Sequence, residues 1–266
     1  ELHHGYITAD SLPGAYTVFR VELFKGKSHF GENVTFDETL PTNYLADEVI
    51  DDNKVNELLA KKYNETIVIA EDDSEILAYL KDELSTNFRV IAVNNGYDAV
   101  KAVMDDEVSL ILSDVLMPAL NGFQLCSNIK SNIATCHIPI VLLTALSDDN
   151  QRIYGIAEGA DEYIHKPFNM QYVRLKIIRI IEERKRLAST FAQKFGRLTR
   201  HEAANLPCVD DVFRDKLFNL IEAQHSDSNF KIELMSDMLG MSRILLYRKI
   251  TSIFGMSPSD LLRNYR

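Results

Sequence analysis

No stretch of this chain is long and apolar enough to cross a bilayer, and no signal-peptide pattern opens it. Only three cysteines occur, Cys126, Cys136 and Cys208, and none has a partner at metal-ligand spacing. Reduced thiols fit this usage better than disulfides or a zinc site. There is no internal repeat and no low-complexity tract. The first residue is Glu1 rather than Met, so the chain is expected to be part of a longer protein. What is plentiful is apolar side chain, 46% of 266 residues, enough for real cores in one large or two to three small domains. Net charge is −10 but uneven: −6 over residues 1–65, −7 over 66–185, +2 over 186–210 and +1 over 211–266. Residues 241–266 alone carry +4, which suggests a polyanion contact confined to that end.

Several short apolar runs end in polar chemistry. Val108 to Leu112 leads to Ser113-Asp114, then Met117-Pro118 and Asn121-Gly122, which stop strand pairing and supply a turn. Thr66 to Ala70 leads to Glu71-Asp72-Asp73, Ile138 to Leu143 leads to Thr144, and Asp161 to His165 leads to Lys166-Pro167. Runs of this length suit buried strands. Amphipathic helix patterns lie between them, as at Ile76, Leu77, Leu80 and Leu84, so βα units and a doubly wound parallel sheet are expected. The carboxyl ends of such strands meet at one edge. Acids, a hydroxyl and a lysine gathered there fit an Mg²⁺-dependent phosphoryl acceptor, with Asp114 as nucleophile and Thr144 and Lys166 gripping the transferred oxygens.

Residues 66 to about 185 resemble the receiver domain of bacterial response regulators. Thr144 lies 30 residues after Asp114, Lys166 lies 52 after it, and Tyr163 lies three before Lys166. The resemblance implies a five-stranded flavodoxin-like sheet. It implies Asp114 as phosphoacceptor and Glu71, Asp72, Asp114 and the Leu116 carbonyl as ligands of Mg²⁺. It further implies Thr144 and Tyr163 as a switch pair, Lys166 as a phosphate contact, and a cis bond before Pro167. A phosphatase with an aspartyl-phosphate intermediate is the enzymatic alternative. It would want an acid two residues after the nucleophile, where Leu116 stands.

Residues 1–30 read as two strands, and resemble the last hairpin of a histidine-kinase ATP-binding domain. The Asn-rich box and glycine-rich lid of that family are absent, so no kinase activity is expected of this remnant. Residues 31–65 read as an acidic, solvated linker with a short helix near Val55, Leu58 and Leu59. The last helix of the sheet domain carries no Pro or Gly until Gly196. Its extension, with Leu187, Phe191 and Phe195, is expected to pair with a second copy, in a homodimer formed through the receiver-like domain and this helix, or to dock on its neighbour. Residues 186–210 comprise this extension and a linker.

Residues 211–266 read as an all-α helix-turn-helix domain: a helix from Ile232 to Leu239, Gly240 as turn, Ser242 as N-cap, and a helix from Arg243 to Phe254 closed by Gly255. Met241 to Ile250, Gly255 to Pro258 and Arg263 resemble the AraC-type DNA-binding domain fused to hybrid two-component kinases, truncated after its first helix-turn-helix. Leu246, Ile250 and Phe254 are expected in the core. The resemblance implies Ile244, Tyr247 and Arg248 at base edges, and Ser242, Arg243 and Lys249 at phosphates. The whole reads as the regulator part of a hybrid two-component protein. It would be phosphorylated by its own or a cognate histidine kinase, act on DNA in the cytoplasm, and belong to a parent anchored in the inner membrane. The rival reading is a phospho-switch for protein partners that never touches DNA.

Overall fold

The protein is described here from a computed structural model, covering residues 6–12, 16–22, 52–144, 159–195, 210–224, 227 and 230–265. The turn at residues 13–15, residues 26–30, most of the acidic linker, Gly196, Pro207 and Cys208 lie outside the described residues. The chain divides into two compact units, residues 1–50 and 51–266.

In the first unit, β1 (Tyr6–Leu12) and β2 (Tyr16–Glu22) pair antiparallel, with Tyr6 opposite Glu22 and Leu12 opposite Tyr16.

The second unit begins with α1 (Asp52–Ala60), followed by β3 (Thr66–Ala70), α2 (Ser74–Ser85), β4 (Arg89–Val93), α3 (Gly96–Asp105), β5 (Leu110–Asp114), α4 (Gly122–Ser131), β6 (Ile140–Thr144) and β7 (Glu162–His165). The strands form one parallel sheet in the order β4-β3-β5-β6-β7, the flavodoxin-like arrangement. Every residue of β3, β5 and β6 is buried, as a sheet covered on both faces requires. Strand periodicity divides them between two cores. Ile67, Ile69, Leu110, Leu112, Val141 and Leu143 face one layer of helices. Val68, Ala70, Ile111, Ile140 and Leu142 face α3 and α4 through Ala99, Val103, Leu125 and Ile129.

The segment before β3 departs from the solvated tether that its composition suggests. Leu58 and Leu59 of α1 pack against the first core, and Tyr63 is buried with its ring 5.1 Å from that of Phe88. The Asn87 amide donates to the carbonyls of Leu59 (2.8 Å) and Lys61 (2.7 Å), tying the segment down. Apolar residues spaced for a helix were visible; what they would cover was not.

Helix α5 (Met170–Phe195) runs 26 residues, about 39 Å at 1.5 Å per residue, and serves two cores. Val173, Ile177, Ile178 and Ile181 lie under the sheet, while Phe191 and Phe195 enter a second cluster built by the helices that follow. These are α6 (Asp211–Gln224), α7 (Ile232–Met238), α8 (Arg243–Phe254) and α9 (Pro258–Tyr265). Thus the extension of α5 docks on its neighbour within the chain. The Phe254 ring is the hub, with centroids 4.7 Å from Phe191, 6.0 Å from Phe218 and 6.4 Å from Phe213. Between α7 and α8, Gly240 takes a positive φ of 69° and Ser242 caps α8, accepting from the Leu245 amide. Gly255 ends α8 at φ 66°, where a Cβ would lie 2.8 Å from the Ala188 carbonyl oxygen of α5.

Truncating the hub should therefore be expensive. Phe254→Ala is expected to cost about 3–5 kcal/mol, against roughly 0.5 kcal/mol or less for exposed Tyr247→Ala on the same helix. Urea denaturation followed by circular dichroism compares them; equal midpoints would mean that the aromatic cluster does not hold the helices together.

Candidate functional site

The parallel sheet sets four strand ends at one edge. Ile69 is in register with Leu112, Asp114 with Leu143, and Thr144 with His165. Chain continuity then brings Glu71, Asp114, Thr144 and Lys166 to the same rim, as the sequence pattern predicts. Glu71 and Asp114 are 1% and 7% exposed, and Thr144 is buried. Asp72 is exposed. One carboxylate oxygen from each of Glu71, Asp72 and Asp114 lies within 4.8 Å of the others. Among the described residues this is the one trio of acids close enough to share a cation. The third acid of the run has a different job: Asp73 caps α2, its Oδ1 accepting from the amides of Glu75 (2.8 Å) and Ile76 (3.1 Å).

Like charges this close need a counter-charge. Lys166 provides one, its Nζ 2.9 Å from Glu71 Oε2 and 3.2 Å from Asp114 Oδ2. Burial raises the pKa of Glu71 and the Asp114 charge adds to this, although Lys166 opposes it. For Lys166, burial pulls the pKa down, but Glu71 and Asp114 outweigh burial and leave it above its ordinary value. The lysine is thus a firm ammonium, and Glu71 stays above its ordinary value despite it. Hard carboxylate oxygens in this arrangement fit Mg²⁺. The Lys166–Pro167 bond is cis, as the resemblance implies. The Tyr163 ring packs on the α3–α4 side of the sheet, and Leu116, whose carbonyl the resemblance assigns to the metal, has an exposed side chain.

The turn after Asp114 is built differently from the sequence expectation. Asn121 is extended (φ −74°) and caps α4 in a reciprocal box with Gln124. The left-handed residue is Ala119, at φ 67°. Gly122 is required for space: a Cβ there would meet the Asp114 carbonyl oxygen at 2.3 Å and the Val115 Cα at 2.9 Å. The Val115 amide donates to Asp114 Oδ1 at 2.8 Å, fixing one carboxylate oxygen while the other meets Lys166.

On α8 the six residues assigned to DNA separate. Ser242 and Arg243 are exposed, with Arg243 pairing to Glu233 at 2.8 Å. Ile244 and Tyr247 are 63% and 53% exposed on the outer face, while Leu246, Ile250 and Phe254 are buried as expected. Arg248 donates to the carbonyls of Met104 (3.2 Å), Asp105 (2.7 Å) and Asp106 (3.0 Å) at the end of α3. Lys249 corrects the sequence expectation outright. It is 0% exposed and cannot reach a phosphate from this position. Its Nζ lies 2.6 Å from Asp210 Oδ2, 2.5 Å from the Ile133 carbonyl and 3.2 Å from Cys136 Sγ, with the Phe213 ring at 4.5 Å. Burial raises the Asp210 pKa, but bonds from Lys249 and Cys136 outweigh it and leave the carboxyl below its ordinary value. Burial pushes the Cys136 thiol up. Nothing local in the sequence announces this clamp, because the hydrogen-bond partners of Lys249 lie 39 to 116 residues from it.

Residues 67–178 match the response regulator receiver domain. Histidine kinase P4 of Formosa agariphila is 33% identical over 278 residues, an alignment that covers 100% of this chain and 20% of that protein. The transcriptional regulatory protein GltR of Pseudomonas aeruginosa is 38% identical over 113 residues, covering 42% of this chain and 47% of that one. The chain therefore spans about a fifth and about half of these two relatives. The signal receiver domain of a histidine kinase from Syntrophus aciditrophicus, a solved structure, is 34% identical, with 46% of this chain and 93% of that one covered and a TM-score of 0.44.

Two substitutions test the geometry. Gly122→Ala should cost about 1–3 kcal/mol, since the obstructing atoms are backbone; an unchanged melting temperature would refute the close approach at Asp114. Lys249→Ala should cost about 2–4 kcal/mol by leaving a half-buried Asp210 without its counter-charge, whereas Arg243→Ala stays within about 0.5 kcal/mol. Equal melting temperatures for these two would show that the clamp does not form.

Proposed function

Residues 67–178 being a receiver domain of a two-component response regulator or hybrid kinase, we propose that Asp114 accepts a phosphoryl group from a phosphohistidine of its own or a cognate kinase and that this controls DNA binding by α8. The observation that carries the first half is the Lys166 ammonium set between Glu71 and Asp114, beside Asp72, at the carboxyl rim of the sheet. Glu71, Asp72 and Asp114, with the Leu116 carbonyl, would hold Mg²⁺, which when bound supplies charge neutralisation for the transferred group. Asp114 Oδ attacks phosphorus as the P–N bond to histidine breaks. Lys166 turns from the carboxylates to a phosphoryl oxygen, and the Thr144 hydroxyl, at the end of the neighbouring strand, binds another. Tyr163, two residues before the end of β7, repacks as Thr144 moves. A local gain of negative charge thereby becomes a change of surface.

The DNA half rests on exposed Ile244 and Tyr247 beside Ser242 and Arg243, at the end of the chain where positive charge collects. Ile can touch a thymine methyl, and Arg248 can read guanine once free of α3. This part of the protein would act in the cytoplasm; among the described residues no helix is long and apolar enough to cross a membrane. Self-association belongs to the same reading, through faces of the sheet domain other than the buried side of α5. One observation favours the rival reading, a protein-interaction switch without DNA: Arg248 and Lys249 are both engaged inside the chain.

Intact mass spectrometry after incubation with Mg²⁺ and acetyl phosphate tests the chemistry. One phosphoryl adduct is expected on the natural chain, none on Asp114→Asn, and none when the metal is chelated. An adduct that survives in Asp114→Asn would mean that another residue is the acceptor.

A further inference from the structure

The two thiols among the described residues differ in reach: Cys126 is sealed in the sheet core, whereas Cys136 is half-buried. Cys136 lies in the loop between α4 and β6, and its sulfur is met from two directions. Its S–H donates to Asp210 Oδ2 at 3.0 Å, and Lys249 Nζ donates to Sγ at 3.2 Å. The ammonium and the carboxylate are themselves 2.6 Å apart. Thiol, carboxylate and amine thus form a triangle of direct contacts. The Ile133 carbonyl at 2.5 Å and the Phe213 ring at 4.5 Å hold the lysine in place. A sulfur and a nitrogen kept in contact need no encounter by diffusion to react. Sulfur and nitrogen also belong to different elements, 113 residues apart. A bond between them would tie the sheet domain to α8.

We propose that Cys136 and Lys249 are an oxidation-closed cross-link, which hydrogen peroxide converts to a sulfenamide joining the loop after α4 to α8. The chemistry is independent of phosphoryl transfer and of DNA. In the first step Sγ attacks one peroxide oxygen and the O–O bond breaks. The thiol proton passes by way of Asp210 to the departing hydroxide, water leaves, and Cys136 becomes a sulfenic acid. Burial holds the thiol up, so this step is slower than at a free cysteine and sets the rate. Sulfenic acids condense with a neighbouring nitrogen. Here Lys249 gives a proton to the Asp210 carboxylate, its nitrogen attacks sulfur, and the S–O bond breaks. The hydroxide released takes a second proton from nitrogen and leaves as water, and Asp210 returns its proton to solvent. Sulfur is oxidised by two electrons and one peroxide is reduced to two waters. Lys249 is 0% exposed, which keeps water from the S–N bond once it is made.

The test uses the whole chain. It is treated with hydrogen peroxide, remaining thiols are alkylated, and the protein is digested with trypsin at neutral pH without reductant for peptide mass spectrometry. One joined pair of peptides carrying Cys136 and Lys249 is expected, lighter by two hydrogens than their sum, uncleaved at Lys249 and released by dithiothreitol. Lys249→Arg keeps the cation but removes the amine; it should give no joined pair, and its sulfenic acid should be trapped by dimedone. Asp210→Asn should lower the yield of the pair by roughly tenfold, through loss of the proton acceptor. If neither variant folds, the map of the natural chain decides alone. Cys136 recovered as sulfinic or sulfonic acid, or joined to Cys126 or Cys208, with Lys249 unmodified, would overturn the cross-link. So would a Cys136 left reduced by peroxide that oxidises the urea-unfolded chain. A joined pair heavier by one oxygen would overturn the sulfenamide.

Discussion

One uninterrupted helix is the constraint on which the second unit depends. The backbone hydrogen bonds of α5 run unbroken from Met170 to Phe195, so the sheet core and the aromatic core share a single rigid element. Val173 and Ile177 cannot leave the first core, nor Phe191 the second, without exposing large apolar surface. The two cores consequently keep a defined relation, and side chains that lie far apart in sequence can form a clamp across them. The hydrogen bonds of Arg248 and Lys249 to the sheet domain are possible only because α5 has already brought the surfaces together.

Two lysines in this unit illustrate how burial decides a role. Lys166 is partly accessible and lies between the carboxylates of Glu71 and Asp114; its partners are negotiable, and a new anion can compete for it. Lys249 is sealed from solvent among a carboxylate, a carbonyl, a thiol and an aromatic face, so each of its donors is committed. The same ammonium group is poised for exchange in one place and a fixed part of the architecture in the other.

What could be read in advance was whatever depends on neighbours in sequence or on a repeating period. The strand ends carrying Glu71, Asp114, Thr144 and Lys166 were legible, since apolar runs of strand length and sheet topology place them without knowledge of any side-chain packing. So was the helix–Gly240–helix unit, because capping and left-handed turns are local chemistry. Docking of α1 was not legible, since Leu58 and Leu59 show a helix face but not its target. The role of Gly122 was misjudged for a related reason: a turn signal cannot say whether glycine serves φ or volume, and only the 2.3 Å approach to the Asp114 carbonyl decides it. For Lys249, the helical period separates inner from outer faces but cannot see a receiver loop more than a hundred residues away covering part of the outer one.

Gly255 gives the helical region a mechanical property. Where most helices touch through side chains, whose rotamers yield by tenths of an ångström, the end of α8 meets the backbone of α5 at Ala188 with no side chain of its own between them. Such a joint has no compliant layer. A small axial slide or rotation of α5 is handed to α8 almost undiminished, so Ile244 and Tyr247 are aimed by the same helix that lies under the sheet carrying Asp114.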